Sequence, residues 1–489
     1  MATYFVPQTA EHLWPPPPPQ IRDSPSYDER TAITWLGIGT YTVLIVLAIV
    51  YYLERTAFVD ISFHLFSLIT SGTWAIQNFR FGALFTQAVP LLGIHMGLSL
   101  HSLALLYSLV FPILYASIFW IVVRVLGQPR LGLLLLGYHV VMVTDTFYWI
   151  QSELSQGVAF LILYFAVLFR IDQDPMERSK PVWSMVHPVV LFMLVFFHPL
   201  MLFVFGFLWI YFWHTQALDR RLLGISGGAF SSMYLIKHLF FKTPYDTQSM
   251  EGMGNLVRFF PHYDEVPTMI AFAGDLIHDY AFLLAGLFIL LIWSMAWRKW
   301  MILVMVFGSF VGYTLLVNCS YPDDTVKFYR ENLHLPLAIF VLTPLILQVL
   351  PARPPRAAWL GIGVICLIRL VHIQQAHEPY TARLDWMRQF LQDHPGQKLI
   401  VDDRLLPADT LLMTWASPYE FWLLSTLETG QSASVLLTDQ PQEFVWAAGM
   451  PDQFIAKWGV FPYDHLPGQY FQFRDKVPYQ VIGDVQPGR

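Results

Sequence analysis

A carboxylate and an imidazole are spaced for proton transfer just after the first long apolar stretch of the chain. Asp60 and His64 stand four residues apart, so on a helix both side chains project from one face. A carboxylate held at a membrane surface in a partly apolar pocket has a raised pKa, which suits a general base. The spacing predicts Asp60 and His64 as candidate catalytic residues, although a solvated aspartate at the interface fits the same pattern.

Two further acidic residues, Asp145 and Glu153, flank a short segment between apolar stretches. Ionisable groups so close to a membrane interior are costly, and they usually pair with another charge or take part in function. Glu153 has a structural alternative, because an acidic residue at the start of a helix interacts favourably with the helix dipole. A role in substrate binding and a structural role both remain open.

A third candidate is the charged segment from Tyr321 to Pro336, which joins two apolar stretches. Lys327 and Arg330 are three residues apart in it, so on a helix they could together bind an anionic head group such as a phosphate. The alternative is a pair of ordinary interfacial cations balanced by neighbouring acids. The segment has the densest charge beside any apolar stretch.

The composition shows what kind of protein must position these residues. The 489-residue chain is 55% hydrophobic and 13% charged, whereas soluble proteins carry about a quarter charged residues. Aromatic residues make up 16%, as expected where Trp and Tyr line membrane–water interfaces. The chain has no basic patch of the kind that binds nucleic acids, and Cys319 and Cys366 have no metal-ligand spacing. The chain is predicted to be a polytopic α-helical membrane protein.

The apolar stretches that could span a membrane number about eleven. We place them near 32–53, 101–124, 131–147, 154–170, 183–197, 199–214, 222–240, 277–297, 299–318, 333–350 and 357–373. The fifth and sixth are separated only by Phe197, His198 and Pro199, so they form either a tight hairpin or a pair of half-helices. The first has no cleavage site after it and is interpreted as a signal anchor.

Basic residues cluster in every second short loop between these stretches. The clusters are Arg22 and Arg30; Arg124 and Arg130; Arg170, Arg178 and Lys180; Arg220 and Arg221; Arg298 and Lys299; and Arg353 and Arg356. By the positive-inside rule all of these loops are cytoplasmic. Eleven crossings then place the N-terminus in the cytoplasm and the C-terminal region outside it.

The chain divides into three predicted regions. Residues 1–31 are a Pro-rich, disordered cytoplasmic tail, and residues 32–373 are a transmembrane domain with a long first outer loop, 54–100, that reads as interfacial helices. Residues 374–489 are predicted to form a small extracytoplasmic α/β domain with strands at 398–401 and 434–438. That domain has no Gly-rich phosphate loop, so no nucleotide is assigned to it.

This layout, with its short motifs, resembles the GT-C superfamily of membrane glycosyltransferases. Asp60 stands after the first span, where the family has its catalytic carboxylate, although the usual Asp-Glu pair is here a lone aspartate. Asp145 or Glu153 matches a second acidic position near the next outer loop. The run from Lys327 to Pro336 looks like a loose version, in reversed order, of the Arg-Tyr and spaced prolines of the protein-mannosyltransferase and aminoarabinose-transferase branches.

The resemblance implies transfer of a sugar from a polyprenyl-phosphate donor to an acceptor on the extracytoplasmic face, in a bacterial inner membrane. Asp60 would be the general base, Lys327 and Arg330 would bind the phosphate, and Asp145 and Glu153 would orient the sugar or hold a divalent cation. One rival is a non-catalytic accessory subunit of a larger membrane complex. The other, a transporter, is disfavoured because the chain lacks matching halves and charges at mid-membrane depth.

Overall fold

The computed structural model describes residues 27–174, 181–244, 247, 251–323, 326–474 and 476–483. Most of the predicted N-terminal tail, 1–31, lies outside the described residues. Helices dominate the rest, as the apolar composition predicts, because a helix satisfies all of its internal backbone groups within one segment. A small sheet near the C-terminus completes the fold.

The helices follow one another in this order: α1 Tyr27–Val50, α2 Tyr52–Thr56, α3 Val59–Ser71, α4 Ala83–His95, α5 Leu100–Trp120, α6 Pro129–Val141, α7 Glu153–Gln173, α8 Pro181–Phe197, α9 Met201–His214, α10 Arg220–Phe240, α11 Asn255–Arg258, α12 Pro267–His278, α13 Ala281–Ala296, α14 Trp300–Ser320, α15 Lys327–His334, α16 Pro336–Pro344, α17 Arg356–Gln375, α18 Glu378–Asp393, α19 Ala408–Leu411, α20 Ser417–Thr429 and α21 Val445–Ala448. The five strands are β1 Leu399–Asp402, β2 Val435–Thr438, β3 Gln453–Ala456, β4 Gly459–Pro462 and β5 Gln480–Ile482.

Six helical segments of the described chain are long and apolar enough to cross a membrane, which indicates an integral membrane protein. They are Asp28–Val50, Leu100–Val125, Glu153–Gln173, Trp300–Ser320, Lys327–Val349 and Arg356–Asp393. A seventh exists if α12 and α13, which meet at 86°, form one broken span. The count is lower than the predicted eleven.

The difference in count comes from helix length and polarity, since every predicted stretch contains a helix. The helix α6 has 13 residues and α9 has 14. At about 1.5 Å per residue these reach about 20 Å, less than the roughly 30 Å of a bilayer core. The helix α10 is long enough, with 21 residues, but is not among the segments apolar enough to span.

The segment 54–100, predicted to be a long loop with short helices, is largely helical. It contains α2, α3 and α4, and α3 ends at Gly72, whose left-handed backbone (φ 62°) closes the helix as glycine does most readily. The buried side chain of Gln87 on α4 binds the loop between α3 and α4. Its Nε2 donates to the backbone carbonyl of Ala75 at 3.0 Å, and its Oε1 accepts from the backbone amide of Ala75 at 2.9 Å.

The C-terminal region is a small α/β unit with a parallel sheet, in agreement with the prediction. The strand β1 lies between β2 and β5 and is parallel to both, and β3 and β4 form a separate antiparallel pair. The helix α20 packs against α3. The C-terminal region therefore contacts the loop that contains Asp60.

Candidate functional site

Asp60 lies in the first turn of α3 and lines a polar cavity of about 460 Å³. Its Oδ2 accepts a hydrogen bond from Nε1 of Trp149 at 2.8 Å. Burial raises the pKa of Asp60 to about 6, with the Trp149 bond opposing that rise and the nearby Glu153 carboxylate adding to it. A carboxylate with that pKa is deprotonated at neutral pH and retains more basicity than an ordinary aspartate.

His64 lines the same cavity one turn further along α3, so the predicted shared face exists. Its side chain is buried, and burial lowers its pKa to about 4, which keeps the imidazole neutral at physiological pH. Among the described residues, its Nδ1 has no hydrogen-bond partner. A neutral imidazole near Asp60 can donate a hydrogen bond to a polar ligand, or accept one from it, without competing with Asp60 for a proton of that ligand.

Glu153 reaches the cavity from the N-terminus of α7. One of its carboxylate oxygens pairs with Nη1 of Arg80 at 3.2 Å, and the other accepts from the Gln151 side chain at 3.3 Å. The N-cap of α7 is Ser152, whose hydroxyl accepts from the Ser155 amide at 3.2 Å. Glu153 therefore lies at a helix start, where a structural role was the alternative, and it also lines the cavity.

Arg80 is the cation of this cavity, and it stands on the turn between α3 and α4. Its neighbours Asn78 and Phe79 both have positive φ values, of 49° and 55°. Such conformations are rare for residues other than glycine and often accompany functional turns. The turn presents Gln77, Asn78 and Arg80 to the cavity.

A second, largely apolar cavity of about 530 Å³ adjoins the polar one. The two share His198, Ser320 and Tyr321 as lining residues. The apolar cavity lies among α9, α10 and α14 and has Lys237 and Lys242 in its lining. A ligand with a polar head and a hydrocarbon tail matches this pair of cavities in chemistry.

Lys327 and Arg330, predicted to bind a phosphate, are not among the residues that line either cavity. Lys327 forms ion pairs with Asp145 at 3.0 Å and Asp279 at 3.1 Å. Arg330 forms one with Asp275 at 2.6 Å. In the structure these two predicted phosphate ligands are therefore paired with carboxylates, one of which is the predicted site residue Asp145.

The helix α15 explains this separation, because its two faces have different surroundings. Tyr329, Asn332 and Leu333 lie on one face and line the polar cavity. Glu331 lies on the other and accepts hydrogen bonds from the backbone amides of Thr144, at 2.7 Å, and of Asp145, at 3.0 Å. The face of α15 that carries Glu331 therefore binds the segment that leads to Trp149. The face that carries Tyr329 and Asn332 forms part of the cavity wall.

Sequence reasoning missed Arg80 and Trp149 as parts of the site. An arginine between two apolar helices and one tryptophan among 17 carry no distinguishing local signal. His198, which lines both cavities, was easier to identify from the sequence, because a histidine before a proline at a helix break is unusual. Only the packing of separate segments brings these three side chains to Asp60.

Within the described part of the chain, no group of three or more His, Cys, Asp or Glu residues is arranged to hold a metal ion. A divalent cation, which the resemblance gave only as an option, therefore has no preformed cluster of that kind among these residues. Comparisons of the chain with protein families, curated proteins and solved structures give no match.

Proposed function

We propose that this protein is a membrane glycosyltransferase of the GT-C type that takes a sugar from a polyprenyl-phosphate donor. The observation that carries the proposal is a carboxylate of raised pKa, Asp60, in a polar cavity that adjoins an apolar one. The donor has the same division, since its sugar phosphate is polar and its polyprenyl chain is hydrocarbon. The pair of cavities supports a lipid-borne substrate better than a wholly water-soluble one.

In the proposed reaction the acceptor hydroxyl enters the polar cavity beside Asp60. Asp60 takes the hydroxyl proton while the hydroxyl oxygen attacks the anomeric carbon, and the bond from that carbon to the phosphate oxygen breaks. The products are the glycosylated acceptor and polyprenyl phosphate, with the anomeric configuration inverted. The transition state has oxocarbenium character, as in glycoside hydrolysis.

The phosphate ligands in this proposal are the cations that line the cavities. Arg80 faces the sugar side, and Lys237 faces the apolar side, where its Nζ also donates to the carbonyl of Val195 at 3.0 Å. Charge neutralisation by such groups makes the polyprenyl phosphate a better leaving group. Glu153 would orient the sugar, while the predicted substrate-binding roles of Lys327 and Arg330 would require their ion pairs to open.

The membrane arrangement belongs to the same proposal. Eleven crossings, in which the shorter helices α6, α8 and α9 also cross the membrane, put the N-terminus in the cytoplasm and the C-terminal region outside. The alternating basic loops support that orientation. It would place Asp60 on the extracytoplasmic side, where a bacterial inner-membrane enzyme meets lipid-linked sugars.

An accessory subunit without catalytic activity is the second candidate. It is favoured by the ion pairs of Lys327 with Asp145 and of Arg330 with Asp275, because charges that neutralise one another inside the protein stabilise it without a ligand. It predicts that the purified chain never consumes a lipid-linked sugar under any condition.

The decisive experiment compares the wild type with Asp60→Asn in proteoliposomes, with polyprenyl-phosphate mannose and polyprenyl-phosphate glucose as donor probes. Removal of a general base should lower the rate of polyprenyl phosphate release by about 10²–10⁴-fold. Asp385→Asn is the matched control, because Asp385 is 64% exposed on α18. Full activity of the Asp60 variant, or no donor consumption by the wild type, would refute the proposal.

A further inference from the structure

The buried carboxylate of Glu420 connects the C-terminal region to the beginning of α3. Glu420 lies on α20 and is completely buried. Its Oε1 accepts a hydrogen bond from the backbone amide of Val59 at 2.5 Å, and its other oxygen pairs with the guanidinium of Arg383. Arg383 is held in turn by the carbonyls of Leu411, at 2.8 Å, and Met413, at 3.2 Å.

Val59 is a strained position, and it directly precedes Asp60. Its φ of 35° is unusual for a β-branched residue. Such a conformation costs about 1–3 kcal/mol and persists only where the surroundings impose it. A carboxylate that accepts from an amide of the first helical turn also satisfies a donor that the helix itself cannot. Glu420 provides that interaction.

We propose that Glu420 is a positioning residue, which fixes the backbone at Val59 so that the Asp60 carboxylate enters the polar cavity beside Trp149. This inference rests on the proposed function, since only there is Asp60 the general base. It makes the C-terminal region a part of the catalytic unit. Arg383 takes part indirectly, by fixing the Glu420 carboxylate.

The charged and titratable groups around Asp60 define what misplacement would change. Arg80 and Glu153 line the cavity with it, and His64 and His198 line it from α3 and from the break between α8 and α9. A carboxylate withdrawn from this burial becomes more hydrated, which lowers its pKa, whereas loss of the Trp149 bond raises it, so kcat and not the pKa of Asp60 reports the misplacement.

Two conservative variants separate the contact with Val59 from the charge of Glu420. Glu420→Gln keeps the length of the side chain and an oxygen that can accept from the Val59 amide, but loses the charge that pairs with Arg383. Glu420→Asp keeps the charge but is shorter by one methylene group, so it withdraws from Val59. Glu428→Asp is the matched control, because Glu428 is on the same helix, pairs with Arg388 at 2.7 Å and is part of neither cavity.

We expect Glu420→Asp to lower kcat by about 10- to 100-fold, because small misplacements of catalytic groups have effects of this size. The donor KM should stay within about twofold, since donor contacts remain. Glu420→Gln should keep kcat within about threefold of wild type, and Glu428→Asp should match wild type. All rates are normalised to folded protein.

The opposite order of the two variants, with Glu420→Gln the more impaired, would overturn the inference, because the charge and not the Val59 contact would then matter. A kcat of Glu420→Asp equal to that of the wild type, or a donor KM that changes while kcat does not, would also overturn it. Failure of the proposed function has a different signature, since Asp60→Asn would then leave turnover unchanged or the wild type would show none.

Discussion

Replacement of Trp149 by phenylalanine tests whether Asp60 acts as a base in the environment that the structure shows. Trp149 donates its indole N–H to Asp60 at 2.8 Å, a bond that stabilises the charged carboxylate and holds its pKa down. Hydrogen bonds to charged groups contribute about 1.5–3 kcal/mol. At about 1.4 kcal/mol per pKa unit, loss of this bond should raise the pKa of Asp60 by about one to two units.

The sign of the effect on activity follows from the role of the base. A general base works only when deprotonated, so activity rises with pH through the pKa of Asp60, which is about 6 in the wild type. In Trp149→Phe the midpoint of the pH–rate profile should lie at ~7–8. Between the wild-type midpoint and these values the variant should be less active than the wild type. The plateau at higher pH should persist, because phenylalanine retains the packing of an aromatic ring against Tyr329.

The assay is the pH–rate profile of polyprenyl phosphate release under saturating donor. Trp446→Phe serves as the control, because Trp446 is 64% exposed on α21 and should leave the midpoint in place. A midpoint of Trp149→Phe within about 0.3 unit of wild type would refute the reasoning, since the lost bond must appear as a pKa change.

Two other predictions concern charge pairs. Arg80→Gln should raise the donor KM by about tenfold or more, because a phosphate ligand is lost and Glu153 loses its ion-pair partner. The acidic midpoint of the pH–rate profile should move only slightly. An unchanged KM in steady-state kinetics would exclude Arg80 as a phosphate ligand. Arg383→Met should destabilise the protein by about 3–5 kcal/mol, because it leaves Glu420 buried and unpaired. The half-exposed Arg388, replaced in the same way, should change stability by about 1 kcal/mol or less, and equal thermal midpoints for the two variants in detergent would contradict this.

The helical membrane architecture could be predicted from the sequence because it depends on local composition. Apolar runs and the two Val- and Leu-rich strands have signals within a few residues. Those signals placed a helix in every predicted stretch and located β1 and β2. They did not fix the number of crossings, because hydropathy does not show where a helix such as α6 ends.

The structure brings together those predicted site residues that are close in sequence, and it adds neighbours that are distant in sequence. Asp60 and His64 share a face because helix geometry sets a four-residue spacing, and both line one cavity. Lys327 and Arg330 were assigned by charge and by their spacing of three residues, and neither specifies a partner. Their carboxylate partners Asp145, Asp279 and Asp275 come from other segments of the chain.

By itself, the sequence determined a polytopic helical protein with a small C-terminal α/β region and an acidic residue after the first span. Only the tertiary structure decided which side chains surround that residue. Trp149 and Arg80 reach Asp60 from other segments, and Glu420 reaches Val59 across 361 positions of the chain. Contacts at such separations arise from helix packing, and no periodicity or local motif encodes them.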